Sequence, residues 1–275
     1  MKNFEILCVT MHQKDFSKIK EMNIHSNVVF ANQAEENTYS EMEFEGKRAR
    51  MITTSTKGVG LNRNISLIYA QSDICLLADD DVVYDNNMEE KVLNEFESNP
   101  DADIIIFHFD GGNSQRKQIK YSRTRKHFFF ERMPWGGIRI AFKLSSIKKA
   151  NIWFTTLFGG GCVFPSGEDS MWLINAKKAG LNIYVSKETI GEVSFETSTW
   201  FTGINEKFFW GKGAFYQAVH PKTKYIWMLY FALRTCTHKE IKFFDKLKWM
   251  KYGADGYKKM MSYDEFMSTV KLSEK

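Results

Sequence analysis

Three consecutive carboxylates close an apolar run in this chain, where Leu76-Leu77-Ala78 leads into Asp79-Asp80-Asp81 and then Val82-Val83-Tyr84. A buried strand that stops on charged residues places them at the carboxyl edge of a sheet, where α/β proteins bind ligands. Carboxylates this close repel one another unless a cation neutralises them. Mg2+ or Mn2+ suits such oxygen donors, and both take phosphate as a further ligand. An acidic helix cap or solvated turn would show the same residues. A second pair, Glu168-Asp169, follows Gly167 at the start of a helical pattern. Acidic residues there are ordinary caps, favoured by the helix dipole. The glycines of Phe158-Gly159-Gly160-Gly161-Cys162 just before them let backbone and ligand approach closely, as a site requires. A third feature, Gly58-Val-Gly-Leu-Asn-Arg63-Asn64, opens another helix. It is neither a dinucleotide fingerprint nor a P-loop. A helix start carrying Arg63 nonetheless suits an anionic ligand.

The elements that must position these groups follow from periodicity. Apolar runs predict strands at Phe4–Thr10, Asn27–Ala31, Asp73–Ala78, Ile104–Phe109 and Leu181–Val185, with a short one at Ile52–Thr54. Helical spacing predicts helices over Asp15–Met22, from Gly58 to about Ala70, over Met88–Glu97 and within Ser166–Gly180. Gly111–Trp153 is less regular, basic and aromatic. Strands alternating with helices indicate an α/β sheet with substantial parallel character.

The 275 residues, 43% hydrophobic and 15% aromatic, supply a full-sized core and exclude a disordered or fibrous chain. Cys8, Cys75, Cys162 and Cys236 form no CxxC pair, so a compact zinc site is not expected. Those spacings and an N-terminus without an export-type apolar core point to a cytoplasmic protein. Charge is uneven: Gly211–Lys275 holds 13 Lys and Arg against 6 Asp and Glu, leaving 25 against 27 elsewhere. No nucleic-acid-binding motif accompanies this basic tail. Tyr225–Leu233 is apolar but only nine residues long, against the roughly 20 needed to span a bilayer. Basic residues interleave there with Trp227, Phe231, Phe243, Phe244 and Trp249. That pattern fits an interfacial helix on an anionic membrane face, and equally a basic helix covering the core.

Taken in order, the motifs resemble those of the family 2 glycosyltransferases. The likeness runs from the first strand, ending in Thr10, through a second ending in Asn32-Gln33, then Gly58–Asn64 and Asp79-Asp80-Asp81. It continues, about ninety residues later, to the glycine cluster and Gly167-Glu168-Asp169. The triple aspartate resembles the family's DxD motif and Glu168-Asp169 its ED motif. The resemblance implies a GT-A fold, a Rossmann-like mixed sheet flanked by helices. The catalytic domain would span residues 1–217, with a nucleotide-sugar half at about 1–110 and an acceptor half at about 111–217. Residues 218–275 would form a basic amphipathic helical extension. Thr10, Gln33, Arg63, Asp79 and Asp80 would bind the nucleotide sugar, and Asp81 with Asp79 would hold Mn2+ or Mg2+. Asp169 would be the general base with Glu168 in support, and the donor would be a UDP-sugar. Many relatives carry a metal-binding histidine after the ED helix. Here the stretch from Gly191 to Trp200 has none, leaving Glu192, Glu196 or water as the third ligand. Trp135, Gly160 and Trp200 are candidates for an acceptor surface, and a membrane-bound tail would favour a lipid-linked saccharide, as in capsule or surface polysaccharide assembly.

Other readings compete. An aspartyl-phosphate hydrolase would want DxDxT at its first strand, and here the aspartates follow a later one. A nucleotidyltransferase would carry a glycine-rich basic loop after the first strand, where this chain has Met11-His-Gln-Lys-Asp. A catalytically inactive nucleotide- or carbohydrate-binding module is the non-enzymatic alternative.

Overall fold

The computed structural model describes residues 2–111, 120–128, 136–193, 203–236 and 240–273, the last four as backbone. Its contacts divide the chain into two units, Met1–Thr155 with Asp169–Thr197, and Thr156–Glu168 with Ser198–Lys275.

The first unit holds the sheet. In chain order its elements are β1 (Phe4–Met11), α1 (Lys18–Glu21), β2 (Asn27–Gln33), β3 (Thr38–Phe44), β4 (Lys47–Thr54), α2 (Val59–Tyr69), β5 (Ile74–Asp79), β6 (Val82–Tyr84), α3 (Met88–Ser98) and β7 (Ile104–Gly111). They continue as β8 (Arg125–Lys126), a 3-10 turn at Gly137–Arg139, β9 (Ile140–Lys143), α4 (Leu144–Lys149), α5 (Glu168–Lys178) and β10 (Ile183–Val193). Strand order is β3-β4-β2-β1-β5-β9-β7-β10-β6, with β8 on β10. The block β4-β2-β1-β5 is parallel, while β9 runs antiparallel between β5 and β7. This is the mixed, helix-flanked sheet expected from the motifs. Alternate residues of β1 enter different cores: Phe4, Ile6 and Cys8 one, Leu7 the other. Burial on both faces is why β1, β2 and β5 read as continuous apolar runs.

Where the apolar run was the only guide, the sequence reading fell short. The helix expected over Asp15–Met22 condenses to the single turn α1. The short strand expected at Ile52–Thr54 is the end of β4, which forms an antiparallel hairpin with the polar, largely exposed β3. The two connecting residues, Glu45 and Gly46, both have positive φ, 48° and 72°, the geometry of the tight turns that match strand twist. The irregular middle conceals β9, whose antiparallel pairing joins the two halves of the sheet.

A buried ion pair fastens β1 to its neighbours. Glu5 and Arg50 are each almost wholly buried, with Arg50 Nη2 2.6 Å from Glu5 Oε2. Glu5 Oε1 accepts the backbone N–H of Gln71 at 2.5 Å and of Ser72 at 2.6 Å, and Arg50 Nη1 donates to the Tyr69 carbonyl at 2.7 Å. The pair therefore terminates α2 and sets the entry to β5.

The second unit is helical, with α6 (Glu206–Val219), α7 (Lys224–Arg234), α8 (Phe243–Lys259) and α9 (Tyr263–Ser273). The boundary expected at residue 217 falls inside α6, all of which lies in this unit. Small residues bring α6 and α8 together: a Cβ at Gly213 would strike the Met250 carbonyl, and one at Gly253 the Trp210 carbonyl. Phe209, Met228, Ala232, Met250 and Ala254 form its core, against which Phe231, Phe243 and Trp249 also pack. Much of the aromatic tail pattern is thus core. Among the described residues no helix is long and apolar enough to cross a membrane.

Glu5→Ala leaves Arg50 charged and unpaired in the interior and should destabilise the protein by about 3–5 kcal/mol in urea unfolding. Glu5→Leu with Arg50→Met should recover only part of that loss, because it removes the orphaned charge but leaves the Gln71 and Ser72 N–H groups and the Tyr69 carbonyl without their partners.

Candidate functional site

The candidate site is built where β1, β2 and β5 end beside the start of α2. Register sets Val9 of β1 against Asp79 of β5, so the end of β1 reaches the aspartate run. Thr10 Oγ1 donates to Asp80 Oδ2. Asn62, in the first turn of α2, donates from Nδ2 to the carbonyls of Thr10 at 3.4 Å and Ala31 at 3.3 Å, fastening the helix start to two strand ends. Gln33 Oε1 accepts from Gly58 N at 3.0 Å, and Gly58 has φ 116°, a conformation that favours glycine at this helix entry.

Arg63 is the centre of the arrangement. It is 3% exposed, donates from Nη2 to Asp79 Oδ1 at 3.0 Å, and pairs through Nη1 with Asp169 Oδ1. Its guanidinium lies 5.4 Å from the centre of the Phe154 ring, and Phe154 stacks on Trp172 at 5.2 Å with planes 10° apart. Trp172 belongs to α5 and is fully buried, so the helix that carries Asp169 is anchored by the same stack. Asn64 clamps this segment from the other side, donating to the Phe154 carbonyl at 2.9 Å and accepting its N–H at 2.8 Å. Gly137 packs so closely that a Cβ there would strike the Arg63 guanidinium, and a Cβ at Gly60 would strike the Thr155 carbonyl. One cation thus joins an aspartate of β5 to an aspartate of α5, although ninety residues separate them in sequence.

The charges do not balance locally. Asp81 is exposed at the surface, yet its pKa rises from 3.8 to about 6, first because the surrounding protein strips water from the charge and then because Asp79 and Asp80 repel it. Lys18 offsets this in part; its Nζ donates to the Asp80 carbonyl at 3.2 Å and pairs with Glu21 at 2.9 Å. A divalent cation would neutralise the same repulsion, and the oxygen donors of Asp79 and Asp81 suit Mg2+ or Mn2+. Among the described residues no three His, Cys, Asp or Glu side chains are grouped to hold a metal. Two carboxylates suffice where a substrate diphosphate and water complete the shell. Glu192 lies on β10 opposite Val83 of β6, and Glu196 lies outside the described residues.

Thr10, Gln33, Arg63, Asp79, Asp80 and Asp169 are therefore brought around the start of α2, with Arg63 spent on the two aspartates. Glu168 opens α5 and accepts the Gly167 N–H at 3.0 Å. Gly160 lies in the tight turn that Gly159 and Cys162 close at 3.1 Å. Trp135 and Trp200 lie outside the described residues. Sequence reasoning did not single out Lys18, Asn62 or Gly137, and it offers Phe154 only as an aromatic face for the acceptor, whereas here Phe154 lies against Arg63 and Trp172. Asn62 lies inside the Gly58–Asn64 motif, whereas nothing marked Lys18 or Gly137.

Comparison with known proteins agrees with the motifs. Residues 28–149 match the family described as Glycosyl transferase family 2, a segment that includes Arg63 and Asp79–Asp81 and ends before Asp169. The family resemblance is thereby borne out. No curated protein sequence matches the chain. Among solved structures, S. aureus TarS 1-349 in complex with UDP-GlcNAc is similar with TM-score 0.59 and 11% identity, over 95% of this chain and 93% of that one. The same protein in complex with UDP gives 0.57 and 13% over the same shares. At such identity the likeness establishes the GT-A fold.

Arg63→Ala leaves Asp79 and Asp169 without their shared cation and should cost on the order of 3 kcal/mol in urea unfolding. Arg63→Lys should not restore it, since a single ammonium cannot reproduce the fork. Asp81 gives a prediction of opposite sign. Its folded-state pKa lies above its ordinary value, so its ionisation costs stability as pH rises from about 4 to 6, and that cost is complete above the folded pKa. With EDTA present, Asp81→Asn should raise Tm at pH 7.5 and not at pH 4. Discounted for exposure, the gain is about 1 kcal/mol or less, or about 2–4 °C per kcal/mol.

Proposed function

We propose that this chain, whose residues 28–149 carry a family 2 glycosyltransferase domain on the GT-A fold, is an inverting enzyme that moves a sugar from a UDP-sugar to a hydroxyl of a saccharide acceptor. The observation that carries this reading is the Arg63 bridge between Asp79 and Asp169, which sets the donor-side carboxylates and the candidate base in one site. The UDP bound to TarS supports uridine as the donor base.

Asp79 and Asp81 would hold Mn2+ or Mg2+, which supplies charge stabilisation for the departing diphosphate. Thr10 and Asn62 keep the strand ends and the aspartate run in register beneath it. Gln33 fixes the helix entry at the nucleotide side. Arg63 orients Asp169 through one oxygen, leaving the other to take the proton of the acceptor hydroxyl as that oxygen attacks the anomeric carbon. One displacement with one base inverts the anomeric centre. Glu168, next in chain, would support the base. Trp135, Gly160 and Trp200 would contribute to the acceptor surface. Peripheral contact of the basic C-terminal segment with the inner face of the cell membrane would present a lipid-linked acceptor for surface or capsular polysaccharide assembly.

Calorimetric titration of UDP, with and without Mn2+, tests the donor site. Binding should require the metal and be lost in Asp81→Ala; metal-independent binding untouched by that change would overturn the assignment. Asp169→Asn should lower turnover of a UDP-sugar by about 10²–10⁴ while UDP affinity stays within a few-fold. Normal turnover in that variant would remove Asp169 as the base.

A further inference from the structure

Helix α7 is apolar nearly all round and covered on one side only. Met228, Ala232 and Phe231 turn into the helical core with Phe209 and Met250. On the other side Tyr225, Ile226, Leu229, Tyr230 and Leu233 recur at helical spacing, and all are exposed, Ile226 to 68%. Phe244, at the start of α8, is 79% exposed. Helices apolar on all faces are normally enclosed, and a contiguous exposed apolar surface rimmed by charge marks an interaction site.

Charge narrows what covers it. Between Glu206 and Glu240 the sequence has no acidic residue, while it carries Lys207, Lys212, Lys222, Lys224, Arg234 and Lys239. Lys222 and Lys224 stand at one end of α7 and Arg234 at the other. A second copy on this face would set cations against cations, whereas an anionic lipid surface meets both the apolar side chains and their basic rim. Eleven residues make a helix about 16 Å long, which suits lying in the interface and falls well short of crossing it. Tyr225, Tyr230 and Trp227, the last stacked on His220 at 4.8 Å, are of the aromatic type that collects at the boundary between headgroups and hydrocarbon.

We propose that the outer face of α7 is a docking surface for anionic lipid, with Ile226, Leu229 and Leu233 entering the acyl boundary and Lys222, Lys224 and Arg234 at the headgroups. This names the element behind the membrane contact in the functional reading and rests on that part of it. The test is co-sedimentation of the full chain with phosphatidylcholine vesicles, with and without phosphatidylglycerol. The chain should bind only the anionic vesicles, and less at high salt. Ile226→Glu with Leu229→Glu should abolish binding, and Lys222→Glu with Lys224→Glu should weaken it by roughly tenfold or more. Tm should be unchanged in both, because these side chains already face water. No binding by the unaltered chain, or binding that survives both variants, would overturn the proposal. So would a dimer in solution that Leu229→Glu dissociates without vesicle binding at any composition. UDP titration of the same variants should be unaltered, so loss of vesicle binding and failure of the donor site are read separately.

Discussion

A single guanidinium, held almost out of solvent, answers two carboxylates that lie ninety residues apart in the chain. Arg63 cannot be in that position unless α2 starts where Gly58 and Asn62 place it, unless Gly137 leaves room for it, and unless Phe154 lies flat beneath it. Asp79 depends on the end of β5 and Asp169 on the buried Trp172 one turn further along α5. The site is thus a point of agreement among several elements, each anchored in the sheet or its flanking core.

That agreement leaves charge unbalanced. Two carboxylates share Arg63, Asp80 is held by a neutral hydroxyl, and Asp81 is left partly stripped of water and beside its acidic neighbours, hence its raised pKa. Folding alone would favour fewer acids here. Their retention is intelligible if a cation and a diphosphate complete the balance, a case of binding chemistry set against stability.

The parts of the fold that could be read from sequence were those with redundant signals. β1, β2, β5 and β7 are apolar on both faces, and α2 and α5 pair a helical period with a start or stop signal. Elements lacking that redundancy were hidden: β3 is polar because it lies at an edge, and β9 follows a glycine turn in a basic, aromatic stretch. The aspartate motifs and Arg63 could be named from residue type and order. The bridge between them could not, since it depends on the packing of Phe154, Trp172 and Gly137, residues that carry no chemical signature. The tail was ambiguous for a similar reason. A helix with two apolar sides gives the same period whichever side is covered.

The hairpin at one end of the sheet and the three-residue strand at the other have a bearing on how the protein behaves in a crowded solution. β3 exposes Glu41 and Glu43, with Arg48 paired across to Glu41, and β6 offers only Val82–Tyr84 to a newcomer. Neither border presents the long, flat, apolar ladder that recruits a foreign strand. While it stays folded, a sheet with such blunt ends has little means of templating its own polymerisation into fibres, even at high concentration.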